Sequence, residues 1–318
     1  MSGPDRAAPR PPGLPCDECA RSSWLLARLA AHVDIHWHHW HTRRALLQLT
    51  DEQLIASVAR GDVTRVTREY GRFDPATLRA ACAARDVVAL CRHDPRYPAR
   101  LRALPDLPAV LYVYGAAAGT AAPLAACERA AAVVGARRAS PYGLEQARRL
   151  GSGLAAEGVT VVSGMALGVD AAAHVGALEA SGTTIAVLAC SPECAYPSSK
   201  RHLHTRIAET GAVVAELPPG TPPRRWCFLA RNRIVAALAE VVVVVEATAQ
   251  SGSLVTAANA ELLGRPVAAV PGLVTAPGAA GPNALIADGA TLVRGPADIV
   301  RLVRAAAAAG RAHHDRPA

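Results

Sequence analysis

Seven short apolar runs constrain this chain most: Ala131–Val134, Val159–Val162, Thr184–Leu188, Ala212–Ala215, Val241–Val245, Val267–Val270 and Thr291–Val293. They are continuously apolar rather than alternating. Strands of that kind are buried on both faces, which calls for a parallel sheet covered by helices. The stretches between them have helical character or turn signals. The expected fold class is therefore α/β, a doubly wound, Rossmann-like, mostly parallel sheet over residues 111–304. Ligands of such sheets sit beyond the C-terminal ends of the strands, so the loops there are the candidates for function.

Upstream, residues 1–15 are Pro- and Gly-rich and read as a disordered tail. Residues 16–110 read as short helices forming a small N-terminal domain. Thr50 and Gln53 have capping-box spacing, and Asp74-Pro75 has the pattern of an N-cap followed by a first-turn proline. The alanine-rich residues 305–318 are expected to form a flexible tail. With 318 residues, 51% of them hydrophobic, the chain can bury a sizeable core. No run of eighteen apolar residues free of charge suggests a membrane span. The first residues lack an apolar signal core, so a cytoplasmic location is expected. The eight cysteines then read as reduced thiols or metal ligands rather than disulfides.

The net charge of +8 is concentrated outside the sheet region. Residues 111–300 carry 14 cationic and 13 acidic residues. An argument for nucleic acid must therefore rest on local clusters. Lys200 is the only lysine, so the arginine count alone says little.

Three loops and one cationic run stand out. The first loop, Gly135–Gly143, has a glycine turn, Arg137, and Ser140 placed to cap a helix that starts with Pro141. It can serve as an ordinary strand–helix turn or as an anion site at a helix start. In the second loop, Ser163-Gly164 precedes Gly168-Val169-Asp170, with Asp170 placed as an N-cap. Ser163, Asp170 and His174 invite a hydrolase reading, but the G-x-S-x-G elbow is missing. In the third, Ser251-Gly252-Ser253 follows Glu246 and opens a helix, which suits phosphate or sugar oxygens as well as simple capping. The cationic run, Arg224 to Arg233, holds Arg224, Arg225, Arg231, Asn232 and Arg233 with Trp226 and Phe228 interleaved, and no acid lies between Glu216 and Glu240. That mixture suits backbone phosphates and stacked bases; its bland counterpart is a solvated helix face.

Cys16-x2-Cys19, followed by His32 and His36, has the spacing of a two-Cys two-His zinc site, with His39 on the same helix face. The same histidines also fit a helix surface packed on Trp24.

Taken together, Val134-Gly135-Ala136-Arg137, Val162-Ser163-Gly164 with Gly168-Val169-Asp170, Tyr196-Pro197, Gly220-Thr221-Pro222-Pro223, Arg231-Asn232-Arg233-Ile234, Ser251-Gly252-Ser253-Leu254 and Asp288-Gly289-Ala290 resemble, in order, the bacterial DNA-processing protein A (DprA/Smf) family. Asp94-Pro95-Arg96-Tyr97-Pro98 and Leu111–Gly115 extend the resemblance upstream. It implies a single-stranded DNA-binding protein without known catalysis and without a cofactor. Such a protein protects incoming DNA in natural transformation (competence), loads the RecA recombinase in DNA recombination, and forms a homodimer. By carry-over, Gly135 and Arg137 contact phosphate, Ser163 and Gly164 line the groove, Lys200 adds charge, and Arg231 and Arg233 hold phosphate or stabilise the loop. Leu167, Glu193 and Leu229 depart from the family pattern by removing a basic residue, adding an acid and replacing a proline. The winged-helix domain of many relatives is not expected within these residues. Two rivals use the same fold: a nucleotide phosphoribohydrolase-like enzyme and a nucleotide-derivative sensor. The first needs a placed carboxylate in its P-G-G-x-G-T-x-x-E loop, and here only Glu246 lies near.

Overall fold

The computed structural model describes residues 13–36, 45–115, 124 and 129–314. Most of the tail expected at residues 1–15, together with His39 and residues 315–318, lies outside them.

All seven predicted runs form strands: β3 (Ala130–Val134), β4 (Thr160–Ser163), β5 (Thr184–Leu188), β6 (Ala212–Ala215), β7 (Val241–Val244), β8 (Val267–Ala269) and β9 (Thr291–Leu292). They pair in parallel, as continuous burial requires. β9 differs from the rest: it closes one edge, and both its residues are exposed.

Two strands were not among the predicted runs, and the first of them falls where only helices were expected. β1 (Val87–Cys91) and β2 (Val110–Tyr114) pair antiparallel with each other, and β2 pairs antiparallel with β6. The sheet therefore has nine strands in the order β1-β2-β6-β5-β4-β3-β7-β8-β9. The sheet thus begins at Val87, ahead of the boundary expected at residue 110.

The helices are α1 (Asp17–His36), α2 (Asp51–Val58), α3 (Val63–Arg72), α4 (Pro75–Ala83), α5 (Pro141–Ala156), α6 (Val169–Glu179), α7 (Arg201–Thr210), α8 (Arg225–Leu238), α9 (Gly252–Leu262), α10 (Ala280–Ala287) and α11 (Pro296–His314). The alanine-rich stretch from Ala305 continues α11 to His314 rather than leaving it. The two N-terminal caps form as their sequences direct. Thr50 and Gln53 complete a reciprocal capping box on α2, and Asp74 accepts from the amide of Ala76 at the start of α4.

Strand pleating sends successive residues to opposite layers. Ala132, Val134, Val162, Val242 and Val244 pack with Ile234, Val235 and Leu238 of α8. Ala131, Val133, Val161, Val241 and Val243 pack with Leu150 and Leu154 of α5, Val169 of α6 and Ile299 of α11. Each fully buried valine contributes about 1.5–3 kcal/mol, so the sheet centre is the most strongly held part of the scaffold.

Strand order reverses at β3. From there β4, β5 and β6 lie to one side, and β7, β8 and β9 to the other. Helix α8 carries the chain back from β6 across the sheet to β7. Its outer face packs with α1–α3: Trp226, Cys227 and Ala230 share a core with Leu25, Leu29, Val33, Leu54, Val58 and Val66. The N-terminal helices thus brace the helix that crosses the switch point.

A zinc site joining Cys16 and Cys19 to His32 and His36 does not form. Cys19 lies in the first turn of α1 and His32 near its far end. Thirteen residues of helix separate them by about 20 Å. His32 instead faces Asp62, with Nε2 and Oδ2 3.3 Å apart.

Candidate nucleic-acid interface

A cleft of about 230 Å³ opens at the switch point, where α/β sheets place their ligands. It gathers Gly135 and Arg137 from the loop after β3, Gly164 from the loop after β4, Arg231 and Asn232 from α8, and Ser251 and Ser253 from the start of α9. Seven of the twelve residues singled out in sequence therefore meet in one place.

The floor is tied together by Asp170. It is not the N-cap of α6; that position is Gly168, at φ +80°. The buried Asp170 carboxylate accepts from the amides of Gly164 (3.2 Å) and Ala166 (3.3 Å), and Gly135 adds a third backbone bond. Burial raises its carboxyl above the usual range, while Arg231 and those amides act against the rise. Arg231 lies behind the cleft surface, only 6% exposed, and donates to the carbonyl of Val187. Burial pushes its pKa down to about 10, with Asp170 opposing the shift, so it stays cationic at neutral pH. A Cβ on Gly164 would overlap the Arg231 guanidinium, which is why the backbone here is glycine.

The rim is different. Arg137 is exposed and rests over the Phe228 ring, 4.9 Å from guanidinium carbon to centroid. Tyr196 stands 5.4 Å from Phe228, ring to ring, and is 39% exposed. Leu167, where the family pattern has a basic residue, joins this aromatic rim. A second, more open groove of about 740 Å³ continues from Arg137 past Arg138, Arg148, Arg149 and Lys200. Glu145 and Glu179 also line it, and Glu179 pairs with Arg148.

Three predicted residues do other work. The Arg233 side chain is fully buried, not at the groove. Its five N–H groups meet Glu216 twice, the carbonyl of Asp106 twice and the carbonyl of Ala230 once, at 2.6–3.1 Å. Of its two possible roles, the buried geometry fits stabilising the loop. Ser163 is buried too, and its hydroxyl donates to the carbonyl of Val133 at 2.7 Å, so its side chain does not line the groove. Ser140 caps α5 through the amide of Gly143 and gives its own N–H and hydroxyl to Glu246. It borders a separate cavity of about 800 Å³ with Tyr142, Glu246 and Pro271. Arg224 is exposed at the N-cap of α8, outside the cleft lining.

Asn232 donates to the carbonyl of Gly252 at 3.0 Å and ties α8 to α9. Ser251 caps α9, and its hydroxyl lies 2.7 Å from that of Ser253. Glu193 accepts from the amide of Gly220 at 2.7 Å and faces Arg85, so the added acid is held away from the cleft lining.

Sequence reasoning left Tyr196 without a role and did not separate Phe228 from Trp226. Helical phase separates them: Phe228 and Asn232, four apart, share the cleft face. Trp226 turns inward, 2% exposed, and donates from its ring nitrogen to the carbonyl of Ala30. Asp34 was also missed; it caps α8 from α1 by accepting from the amides of Arg225 and Trp226 at 3.0 and 2.9 Å.

The family model described as DNA recombination-mediator protein A matches residues 88–304. The putative DNA processing protein DprA of Mycobacterium tuberculosis is 51% identical over 175 residues, which cover 55% of this chain and 45% of that protein. The chain thus spans about half the length of that curated relative. The structure of DNA processing protein A from Streptococcus pneumoniae superposes with a TM-score of 0.71 at 28% identity, covering 91% of this chain and 98% of that one. The corresponding protein from Helicobacter pylori, studied for its single-stranded DNA binding mode, gives a TM-score of 0.60 at 30% identity, covering 68% and 94%.

Proposed function

The chain belongs to the DNA recombination-mediator protein A family, and from that premise we propose that it is a cytoplasmic, non-enzymatic, single-stranded DNA-binding protein of DNA processing. The observation that carries the reading is the rim of the switch-point cleft. Exposed Arg137 lies on the Phe228 ring, with exposed Tyr196 beside it. A cation next to stackable rings, above a helix start rich in hydroxyls, offers what a single strand presents: phosphates and unpaired base faces. The open groove through Arg138, Arg149 and Lys200 gives the backbone a path away from the cleft. The single-stranded DNA binding studied in the Helicobacter pylori protein supports the same reading. Among the described residues, no helix is long and apolar enough to cross a membrane.

The absence of catalysis in this proposal rests on committed side chains. Glu246, the remaining candidate for a phosphoribohydrolase-like reaction, is taken up by Ser140. His174 is fully buried and tied to Thr184 at 2.7 Å. Protection of incoming DNA in natural transformation, RecA loading and homodimerisation complete the proposal.

Fluorescence anisotropy with a labelled single-stranded oligonucleotide, beside a duplex of equal length and free mononucleotides, tests the reading. Salt-sensitive binding that prefers the single strand is expected. Tight mononucleotide binding without dependence on DNA length would favour the sensor instead. RecA filament assembly with and without the protein, and sedimentation for the dimer, test the finer claims.

A further inference from the structure

We propose that Cys16, Cys19, Cys91 and His93 bind one tetrahedral zinc ion that fastens α1 to the edge of the sheet. The ligand atoms of these four residues all lie within 4.8 Å of one another. His93 Nδ1 is 3.4 Å from Cys16 Sγ and 3.5 Å from Cys19 Sγ. A zinc ion with bonds of about 2.3 Å to sulfur and about 2.0–2.1 Å to nitrogen separates a tetrahedral sulfur–nitrogen pair by about 3.5 Å. The side chains already hold that edge length.

The backbone arranges them in two pairs. Cys16 immediately precedes α1 and Cys19 lies in its first turn, where the Cys19 amide donates to Cys16 Sγ at 3.4 Å. Cys91 ends β1, and His93 sits in the turn that follows, closed by the Asp94 amide on the Cys91 carbonyl at 2.7 Å. The three cysteines are buried and His93 is exposed, so the fourth ligand closes the site from the solvent side. Four protein ligands leave no open position, which marks a structural ion and not a catalytic one.

Three thiolates and a neutral imidazole around Zn²⁺ carry one net negative charge. Arg92, between the last two ligands and paired with Glu18, supplies local positive charge to offset it. Thiolate-rich, closely spaced ligands select zinc among the divalent ions that take tetrahedral sites. A dithiol–disulfide switch would use two of the three cysteines and give His93 no part.

The ion would sit at a mechanically useful point. From it, α1 runs to Asp34, which caps α8, the helix under the cleft. Gly13 and Pro15, just ahead of the ligands, are held by the Ala89 amide and by Arg79. The ion would add a coordinate link between this segment and β1.

Metal analysis of the purified full chain decides the matter. We expect one zinc per chain and, after cobalt replacement, the strong visible absorption of a tetrahedral thiolate site. Cys19→Ser and His93→Ala should lose at least tenfold in zinc content. Cys82→Ala, which removes another buried cysteine of the same core, should keep it. A chelator should lower the Tm of the wild type and leave that of Cys19→Ser unchanged. Zinc below a tenth of an equivalent from zinc-replete cells, or equal zinc in all three variants, overturns the proposal. His93 is exposed, so its variant gives an answer even if Cys19→Ser fails to fold.

Discussion

Two arginine-bearing segments meet at the cleft, and they use the same side chain in opposite ways. On α8, Arg233 is fully buried and spends all five N–H groups on Glu216, Asp106 and Ala230. In the loop after β3, Arg137 is exposed and rests on an aromatic ring; among the described residues it has no ion-pair partner. Arg231 lies between these extremes, charged but behind the cleft surface. The contrast shows that a cationic cluster in sequence is not a binding surface. What counts is which donors remain after the protein has satisfied its own acceptors.

The largest test of the contrast is Arg233→Ala. It takes the guanidinium away from the partly buried Glu216 and the buried Asp106 and should cost about 3–5 kcal/mol in urea unfolding. Arg137→Ala should change stability by no more than about 0.5 kcal/mol. Equal stability losses in the two variants would contradict the division of labour.

Next is Tyr196→Ala, which removes an exposed ring from the rim. Single-strand affinity should fall by about 1–3 kcal/mol with little change in unfolding, as expected for a lost stacking partner. Unchanged affinity in an anisotropy titration would remove Tyr196 from the interface.

A graded effect comes from pH. The Thr184 hydroxyl donates to the Val161 carbonyl, so it accepts from His174 Nδ1–H and fixes the neutral imidazole. Burial, then Arg231, hold the His174 pKa down at about 3. The unfolded chain takes up this proton near pH 6.5 and the folded protein does not. Stability is therefore lost as pH falls from about 6.5 towards 3, by up to about 1.4 kcal/mol per pH unit from this group. His174→Gln should flatten that part of the stability profile measured by thermal unfolding.

The central sheet was legible because fully buried parallel strands leave an unbroken apolar signature. β1 and β2 were not, although Val87–Cys91 and Val110–Tyr114 are also unbroken apolar runs: such a run fits a buried helix segment as well as a strand, and the pairing that decides it joins β2 to the distant β6. At the site, glycine turns and helix caps were readable locally. The fate of Arg233 was not, since Asp106 lies 127 residues away. Asp34 is more remote still from α8, 191 residues from Arg225. Cys16 and Cys19 were visible as a ligand pair. Sequence proximity then pointed to His32, whereas the fold brings up Cys91 and His93.

The most direct test of the account is the salt dependence of single-strand binding in the wild type and in Arg137→Ala. If Arg137 contacts one phosphate, the slope of log K against log salt should shrink by about 0.7 in the variant, equally for different base sequences. An unchanged slope and affinity would show that the exposed arginine at the rim does not touch the DNA backbone, and would contradict the account at its centre.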